Sequence, residues 1–297
     1  MKYLIVVVGP TAIGKTAFAI KLAQHFNTEI LSADSRQFYR EMRIGTAYPE
    51  PEELTAAKHH FIGNLSIGDK YNVARYEREA LALLDQLFKK HDKVILTGGS
   101  GLYVDAVCKG IDDLPDPDPA LRNKLKQEMK RIGLRAFGEK LKTLDPEYYE
   151  VVDLNNPNRL LRAVEVCIQT GGTYTSLRKN VSKERPFATI KIGLNTEREV
   201  LFEKIAGRVD RMMEKGLLDE VIGLRDYHDQ NALNTVGYKE LYAYLDGEVS
   251  LERAVENIKT NTRRYAKRQL TWFKRDETIR WFEPEDLDRA IEWISSF

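Results

Sequence analysis

Long apolar runs are missing from this chain of 297 residues. Its opening run, Tyr3 to Val8, is far short of the roughly 20 residues that a transmembrane helix needs. It also lacks the basic flank and small-residue cleavage site of a secretory leader. Cysteine is scarce: Cys108 and Cys167 are the two present. They do not have the spacing of a metal site, which argues against zinc, and two cysteines exclude a disulfide framework. An excess of one charge is missing too. Lys and Arg number 46 against 45 Asp and Glu, a formal net charge of +1. No field of the whole molecule draws polyanions, so any nucleic-acid surface must be a local patch. With 42% hydrophobic and 31% charged residues, the chain has enough apolar material for a core. These features lead us to expect a soluble, cytoplasmic protein that works as a monomer.

Strand and helix patterns alternate through the first third. Tyr3–Val8 is a continuous β-branched run of the kind buried on both faces of a parallel sheet. Helical spacing follows from Ala17 to Phe26. Ile30 to Ala33 reads as a second strand, 73–90 as a helix, and Val94 to Leu96 as a third strand. The alternation predicts an α/β core. Three prolines between Leu114 and Pro119 break the pattern, and helical spacing then runs to Thr170. Ile190 to Leu194 reads as a strand returning to the core, with mostly helical patterns after Arg198. The expected fold is therefore a P-loop NTPase-like parallel sheet flanked by helices. Residues 1–114 and 186–297 form the core, and residues 115–185 form a helical insertion domain.

The most specific local signal is Gly9-Pro10-Thr11-Ala12-Ile13-Gly14-Lys15-Thr16. It matches the phosphate-binding pattern G-x-x-x-x-G-K-[ST] and sits between a strand and a helix, as the mechanism requires. Its backbone N–H groups close around an anion at a helix N-terminus. Lys15 adds a point charge, and the Thr16 hydroxyl reaches a Mg²⁺ on the phosphates. Phosphate binding does not name a reaction. The third strand ends in Leu96-Thr97-Gly98-Gly99-Ser100-Gly101, without the carboxylate that hydrolytic ATPases place there.

Asp34 follows the second strand, and in an open α/β sheet ligands bind beyond the carboxyl ends of strands. There it either ligates a metal or takes a proton, or it merely caps its own turn. Gln37 has the amide geometry to pair with an adenine edge. The glycines at 98, 99 and 101 allow either close backbone approach to a ligand or a tight strand-to-helix turn. Between Lys259 and Arg275 there are seven basic residues and no acid. Tyr265, Trp272 and Phe273 are interleaved. Such a run is either a solvated face or a footprint for phosphates and bases.

Taken together, these segments resemble the tRNA dimethylallyltransferases (tRNA isopentenyltransferases). The resemblance rests on residues 9–16, Asp34-Ser-Arg-Gln-Phe-Tyr39, Gly98-Gly-Ser-Gly-Leu-Tyr103 and Asn158-Arg-Leu-Leu-Arg-Ala163. It continues through Arg208, Met212 and Gly216, Thr235-Val-Gly-Tyr-Lys239 and Arg264-Tyr-Ala-Lys-Arg-Gln-Leu-Thr-Trp272. Ile13 and Ser100 depart mildly, where the family usually has Ser and Thr. Without the Cys/His extension of many eukaryotic members, the chain resembles the bacterial form.

The resemblance implies transfer of a dimethylallyl group from dimethylallyl diphosphate to N6 of the adenosine 3′ of a tRNA anticodon, with Mg²⁺. It implies catalytic roles for Asp34, Ser100, Lys15 and Arg208, and a P-loop that holds the prenyl diphosphate. It implies tRNA contacts at Asp34, Ser35, Arg36, Gln37, Ser100 and Arg122, and at Asn158, Arg159, Leu160, Leu161 and Arg162. Further contacts fall at Asn234, Thr235, Val236, Gly237, Tyr238 and Lys239, and at Lys267, Arg268, Gln269, Trp272 and Lys274. The insertion is expected to bind the anticodon stem-loop. The rival reading is a P-loop kinase of a small metabolite, which leaves the basic C-terminal segment unexplained.

Overall fold

Alternate residues of β1 (Tyr3–Val8) enter different cores. Leu4, Val6 and Val8 pack on one face, while Ile5 and Val7 pack on the other. That two-sided burial explains why the run carries no polar alternation. The computed structural model describes residues 1–179 and 181–297. The other strands are β2 (Ile30–Ser32), β3 (His59–His60), β4 (Lys93–Thr97), β5 (Ala188–Leu194) and β6 (Arg280–Phe282). They form one sheet in the order β3-β2-β4-β1-β5-β6, with every pair parallel.

The first four strands are connected through α1 (Lys15–His25), α2 (Pro51–Ala56) and α3 (Val73–Leu87), and α4 (Gly101–Lys109) follows β4. Beyond β5 come α10 (Arg198–Glu214), α11 (Leu217–Gly223), α12 (Tyr238–Leu245), α13 (Leu251–Phe273) and α14 (Leu287–Ser295). Between β4 and β5 lie α5 (Pro119–Ile132), α6 (Leu134–Leu144), α7 (Pro146–Val151), α8 (Pro157–Thr170) and α9 (Tyr174–Leu177). Among the described residues, no helix is long and apolar enough to cross a membrane.

Contacts divide the chain into Met1–Lys109 with Glu184–Phe297, and Gly110–Lys183. The sequence pattern had put these divisions at 114/115 and 185/186. The second unit has its own core, built on Leu125, Phe137, Leu141, Leu160, Leu161 and Val164. Three of its helices, α5, α7 and α8, start where a short polar side chain meets proline. Asp118 accepts the Ala120 N–H and Asn156 accepts the Arg159 N–H, with Pro119 and Pro157 at the first helical positions. Asp145 is fully buried there. It caps α7 through the Tyr148 N–H and also accepts both the N–H and the hydroxyl of Thr175.

Four of the six strands stand where the sequence pattern expects them. The edge strands β3 and β6 were not expected. At two and three residues, they are too short to show a period.

The glycine turn after β4 is where the fold is tightest. A Cβ on Gly98 would lie 2.4 Å from the Ala33 carbonyl, and one on Gly101 would lie 2.3 Å from the Trp272 ring. A Cβ on Gly99 would lie 2.2 Å from Gln269 Nε2. The room the glycines leave is filled by the protein itself, so tight packing, rather than approach of a ligand, explains them. Gly98→Ala is expected to lower unfolding stability by about 1–3 kcal/mol or more, as overpacking against backbone does. Gly68→Ala serves as the control, because nothing lies within 4 Å of its Cβ position. Equal urea midpoints for the two variants would contradict this account.

Candidate active site

The segment from Gly9 to Thr16 joins β1 to α1, and Gly14 takes a left-handed φ of 103° just before the helix begins. A side chain at Gly14 would pay for that backbone. Lys15 folds back so that its ammonium donates to the Pro10 carbonyl at 2.8 Å. Ile13 is buried in the sheet core with Val7 and Ala19. The departure at this position is therefore accommodated by the interior rather than over the anion. The Thr11 N–H donates to Gln269 Oε1 at 2.8 Å, which removes it from the amides free to meet an anion.

Asp34 lies just beyond the end of β2 and does cap its own turn: Oδ1 accepts the Arg36 N–H at 3.0 Å. Its Oδ2 has no hydrogen bond among the described residues. The next residue ties this turn to the glycine turn. Ser35 donates its N–H to Ser100 Oγ at 3.0 Å, and the two hydroxyl oxygens lie 3.1 Å apart. Arg36 reaches across to the Asn231 carbonyl at 2.9 Å. Gln37 does not present its amide for base pairing. Both its hydrogens go to the Thr46 and Ala47 carbonyls, at 3.3 and 2.9 Å.

A cavity of about 530 Å³ opens beside Asp34, within the size range of small-molecule sites. Thr11, Asp34, Ser35, Arg36 and Arg208 line it, with Asn234–Gly237, Lys239, Asn261, Tyr265 and Arg268. Val209, Met212, Leu217, Val236 and Ile258 add an apolar wall. Lys15 and Arg208 both feel the Asp34 carboxylate; Lys15 also feels Arg208, and Arg208 feels Arg211. Burial outweighs the help of Asp34 at both cations, lowering the Lys15 pKa to about 8 and moving the Arg208 guanidinium downward. An anion is the natural partner for two desolvated cations that share one carboxylate.

Several expected contact residues are turned away from ligands. Gln269 is buried, and its carboxamide bridges the P-loop to the glycine turn: Oε1 accepts from Thr11, and Nε2 donates to the Gly99 carbonyl at 2.9 Å. Trp272 donates its indole N–H to Asp105 at 2.9 Å and packs against Gly101. Tyr238 is fully buried, with its phenol 2.7 Å from Glu220. The chain has consumed these polar and aromatic groups for its own packing. Lys267 and Arg268 are exposed on α13, and Lys274 is exposed just past its end.

Two residues around the cavity were given no role by the sequence reading. Glu220 accepts the backbone N–H groups of Arg43, Ile44 and Gly45, at 2.8, 2.8 and 3.0 Å, besides the Tyr238 phenol. It thereby fixes the wall formed by Gly45 and Thr46. Tyr265, which lines the cavity, stands in the sequence reading as an interleaved aromatic and as part of the stretch 264–272. Its spacing of four before Gln269 is the signal that would have placed it on the same face of α13.

In the second unit, Asn158 and Arg159 are exposed on the first turn of α8. Leu160 and Leu161 point into that unit's core, so their side chains are unavailable to a ligand. Arg122 and Arg162 share the fully buried Glu165 carboxylate, at 3.2 and 2.8 Å.

Comparison with known proteins places these residues in context. The family model for IPP transferase matches residues 37–276. The tRNA dimethylallyltransferase 1 of Bacteroides thetaiotaomicron is 52% identical over 294 residues, covering 99% of this chain and 96% of its own length. The tRNA dimethylallyltransferase of Flavobacterium johnsoniae is 53% identical over 301 residues, covering 99% and 97%. The solved tRNA isopentenylpyrophosphate transferase of Bacillus halodurans superposes with a TM-score of 0.74 at 36% identity, covering 100% of this chain and 96% of that one. A eukaryotic dimethylallyltransferase captured acting on tRNA superposes with a TM-score of 0.82 at 27% identity, covering 100% and 80%.

The Lys15 ammonium makes anion binding pH-dependent. With its pKa lowered to about 8, the side chain is charged below that pH and becomes neutral above it. Affinity for sulfate, which does not itself titrate in this range, is expected to fall as the pH rises through about 8. In Lys15→Arg, the charge persists and the fall disappears. Isothermal titration from pH 6.5 to 9.5 reads both; an unchanged wild-type affinity across the range would refute the assignment.

Proposed function

We infer the reaction from one premise: this chain belongs to the IPP transferase family. It transfers a dimethylallyl group from dimethylallyl diphosphate to N6 of the tRNA adenosine on the 3′ side of the anticodon, at position 37, and releases diphosphate. One observation carries this reading. Asp34, whose second oxygen is free, and Arg208 line a cavity with an apolar wall, and the buried Lys15 ammonium of the P-loop, which feels both of them, completes an anion-seeking cation pair with Arg208. An alkyl diphosphate needs both kinds of lining, and an incoming amine needs the carboxylate.

The adenine N6 lone pair is delocalised into the ring, so this amine is a weak nucleophile. As its bond to the allylic carbon forms, the carbon–oxygen bond to diphosphate breaks and the nitrogen becomes acidic. Asp34 Oδ2 takes that proton, a contribution of roughly 10²–10⁴-fold. Negative charge grows on the leaving oxygens, where the Lys15 ammonium, the Arg208 guanidinium, the P-loop N–H groups and the Ser100 hydroxyl stabilise it. Because these donors are already oriented, little reorganisation is needed when the bond breaks.

The oxygen donors present fit Mg²⁺. The Thr16 hydroxyl makes no hydrogen bond among the described residues and stands in the first turn of α1 beside the P-loop. A hard cation held by one protein hydroxyl, diphosphate oxygens and water is a common Mg²⁺ arrangement. When bound, it neutralises diphosphate charge.

The target base must leave its stack, at a few kcal/mol, less for a loop base than for a paired one. Exposed cations offset that cost through phosphate contacts. Lys267 and Arg268 on α13, Lys274 just past its end and Arg159 on the insertion supply them, while Asn158 adds a neutral amide and the half-buried Arg122 and Arg162, both paired with Glu165, add what reach that pairing leaves. The insertion binds the anticodon stem-loop. The chain works in the cytoplasm, as a monomer.

The test is incorporation of radiolabelled dimethylallyl diphosphate into bulk bacterial tRNA with Mg²⁺, with label mapped by nuclease digestion. The wild type is expected to label the adenosine next to the anticodon, and Asp34→Ala to lose at least ~10²-fold in rate. No labelling by the wild type would overturn the reaction. Equal labelling by both would remove Asp34 as the proton acceptor.

A further inference from the structure

Glu165 is a fully buried carboxylate on α8, and none of the roles described so far uses it. Its neighbours along that helix, Leu160, Leu161, Ala163 and Val164, fill the core of the insertion. An apolar residue would therefore suit the position on packing grounds. Two arginines meet it instead. Arg162, three residues earlier on the same helix, donates from Nη1 to Glu165 Oε2 at 2.8 Å. Arg122, from α5, places its Nε 3.2 Å from Oε1. A buried carboxylate between cations adds little net stability, because desolvation offsets the attraction. What it supplies is direction.

The two guanidinium groups are held differently. Arg162 is held by its tips: Nη1 goes to Glu165, and Nη2 donates to the Pro115 carbonyl. Gln169 donates to the Asp116 carbonyl at 3.0 Å. Together they fix the segment leading into α5 against α8. Asp118 then caps α5, and Arg122 follows four residues on. The Arg122 Nε is buried against Glu165, held by charge rather than by an aligned hydrogen bond. Yet 33% of the side chain is exposed, and its two terminal nitrogens make no hydrogen bond among the described residues. That leaves the planar fork of those nitrogens, the geometry that matches two oxygens of one phosphate.

We propose that Glu165 is a positioning residue for tRNA: by holding Arg122 at Nε, it aims the terminal fork of that side chain at one phosphate of the anticodon stem-loop. The inference rests on the transferase reading above. A free arginine must give up its rotamer freedom when it binds a phosphate. One already held at its inner nitrogen has given up much of that freedom in advance. Arg162, with both tips engaged by the protein, belongs to the holder, and Arg122 makes the contact. The buried carboxylate thus acts on tRNA only through the arginine it orients.

Equilibrium binding of fluorescently labelled bacterial tRNA by the full chain, between about 50 and 200 mM KCl, tests this. Arg122→Ala is expected to weaken binding about tenfold, as loss of one charge-assisted contact does. It should also flatten the slope of log affinity against log salt by about 0.7–0.9, the value of one phosphate contact. Glu165→Gln keeps the shape and removes the charge. It is expected to reproduce both effects, although its own side chain reaches no solvent. In the Arg122→Ala background, Glu165→Gln should cost less than about twofold more, because the two residues act as one unit. Glu165→Asp keeps the buried charge but shortens its reach. It should flatten the slope in the same way, and it takes the place of Glu165→Gln if melting curves show that variant unfolded. A Glu165 variant that is folded and binds like the wild type would overturn the proposal. So would additive losses in the Arg122→Ala background, or weaker binding with an unchanged slope. A wild type that transfers no label to tRNA would instead overturn the transferase reading, whatever the binding slopes.

Discussion

The buried carboxamide of Gln269 accepts from Thr11 and donates to Gly99, holding the loop after β1 against the turn after β4. Both partners are main-chain groups of loops. Leaving them unpaired in a buried place would cost about 1–3 kcal/mol each. The clip also sets how far α13 is turned about its axis. That rotation points Tyr265 and Arg268 into the cavity and lays Trp272 across Gly101. The long basic helix is thus an internal wall as much as a charged surface.

Around that frame, the electrostatics are simple. A nearly neutral chain concentrates two desolvated cations and one carboxylate at the carboxyl edge of a parallel sheet. The cations favour an anion, and the carboxylate favours a group that is losing a proton. An apolar wall beside them keeps water from the reacting carbon. Asp34 serves both the fold and the site. One oxygen closes its turn, and the other has no hydrogen bond among the described residues.

The features legible in the sequence were those written in adjacent residues. The β-branched run of β1, the P-loop, the Asp34 turn and the glycine turn each declare themselves within a few positions. Hidden features depend on direction or on distance along the chain. Leu160 and Leu161 lie inside a promising motif, but helix geometry turns them into the core. Gln37, Tyr238, Gln269 and Trp272 are polar or aromatic, yet the fold uses their hydrogen-bonding groups itself. Glu220 serves main-chain groups some 175 residues away, a pairing that no local pattern records. The edge strands β3 and β6 owe their existence to neighbours already in the sheet.

The account turns on the P-loop and its cavity taking an alkyl diphosphate rather than a nucleoside triphosphate. Thermal unfolding with Mg²⁺ and increasing concentrations of either ligand separates the two, because a ligand bound only by the folded chain raises the melting temperature by mass action. Dimethylallyl diphosphate is expected to raise it progressively, and ATP at the same concentrations far less. Protection by ATP without protection by dimethylallyl diphosphate would contradict the account and favour a kinase.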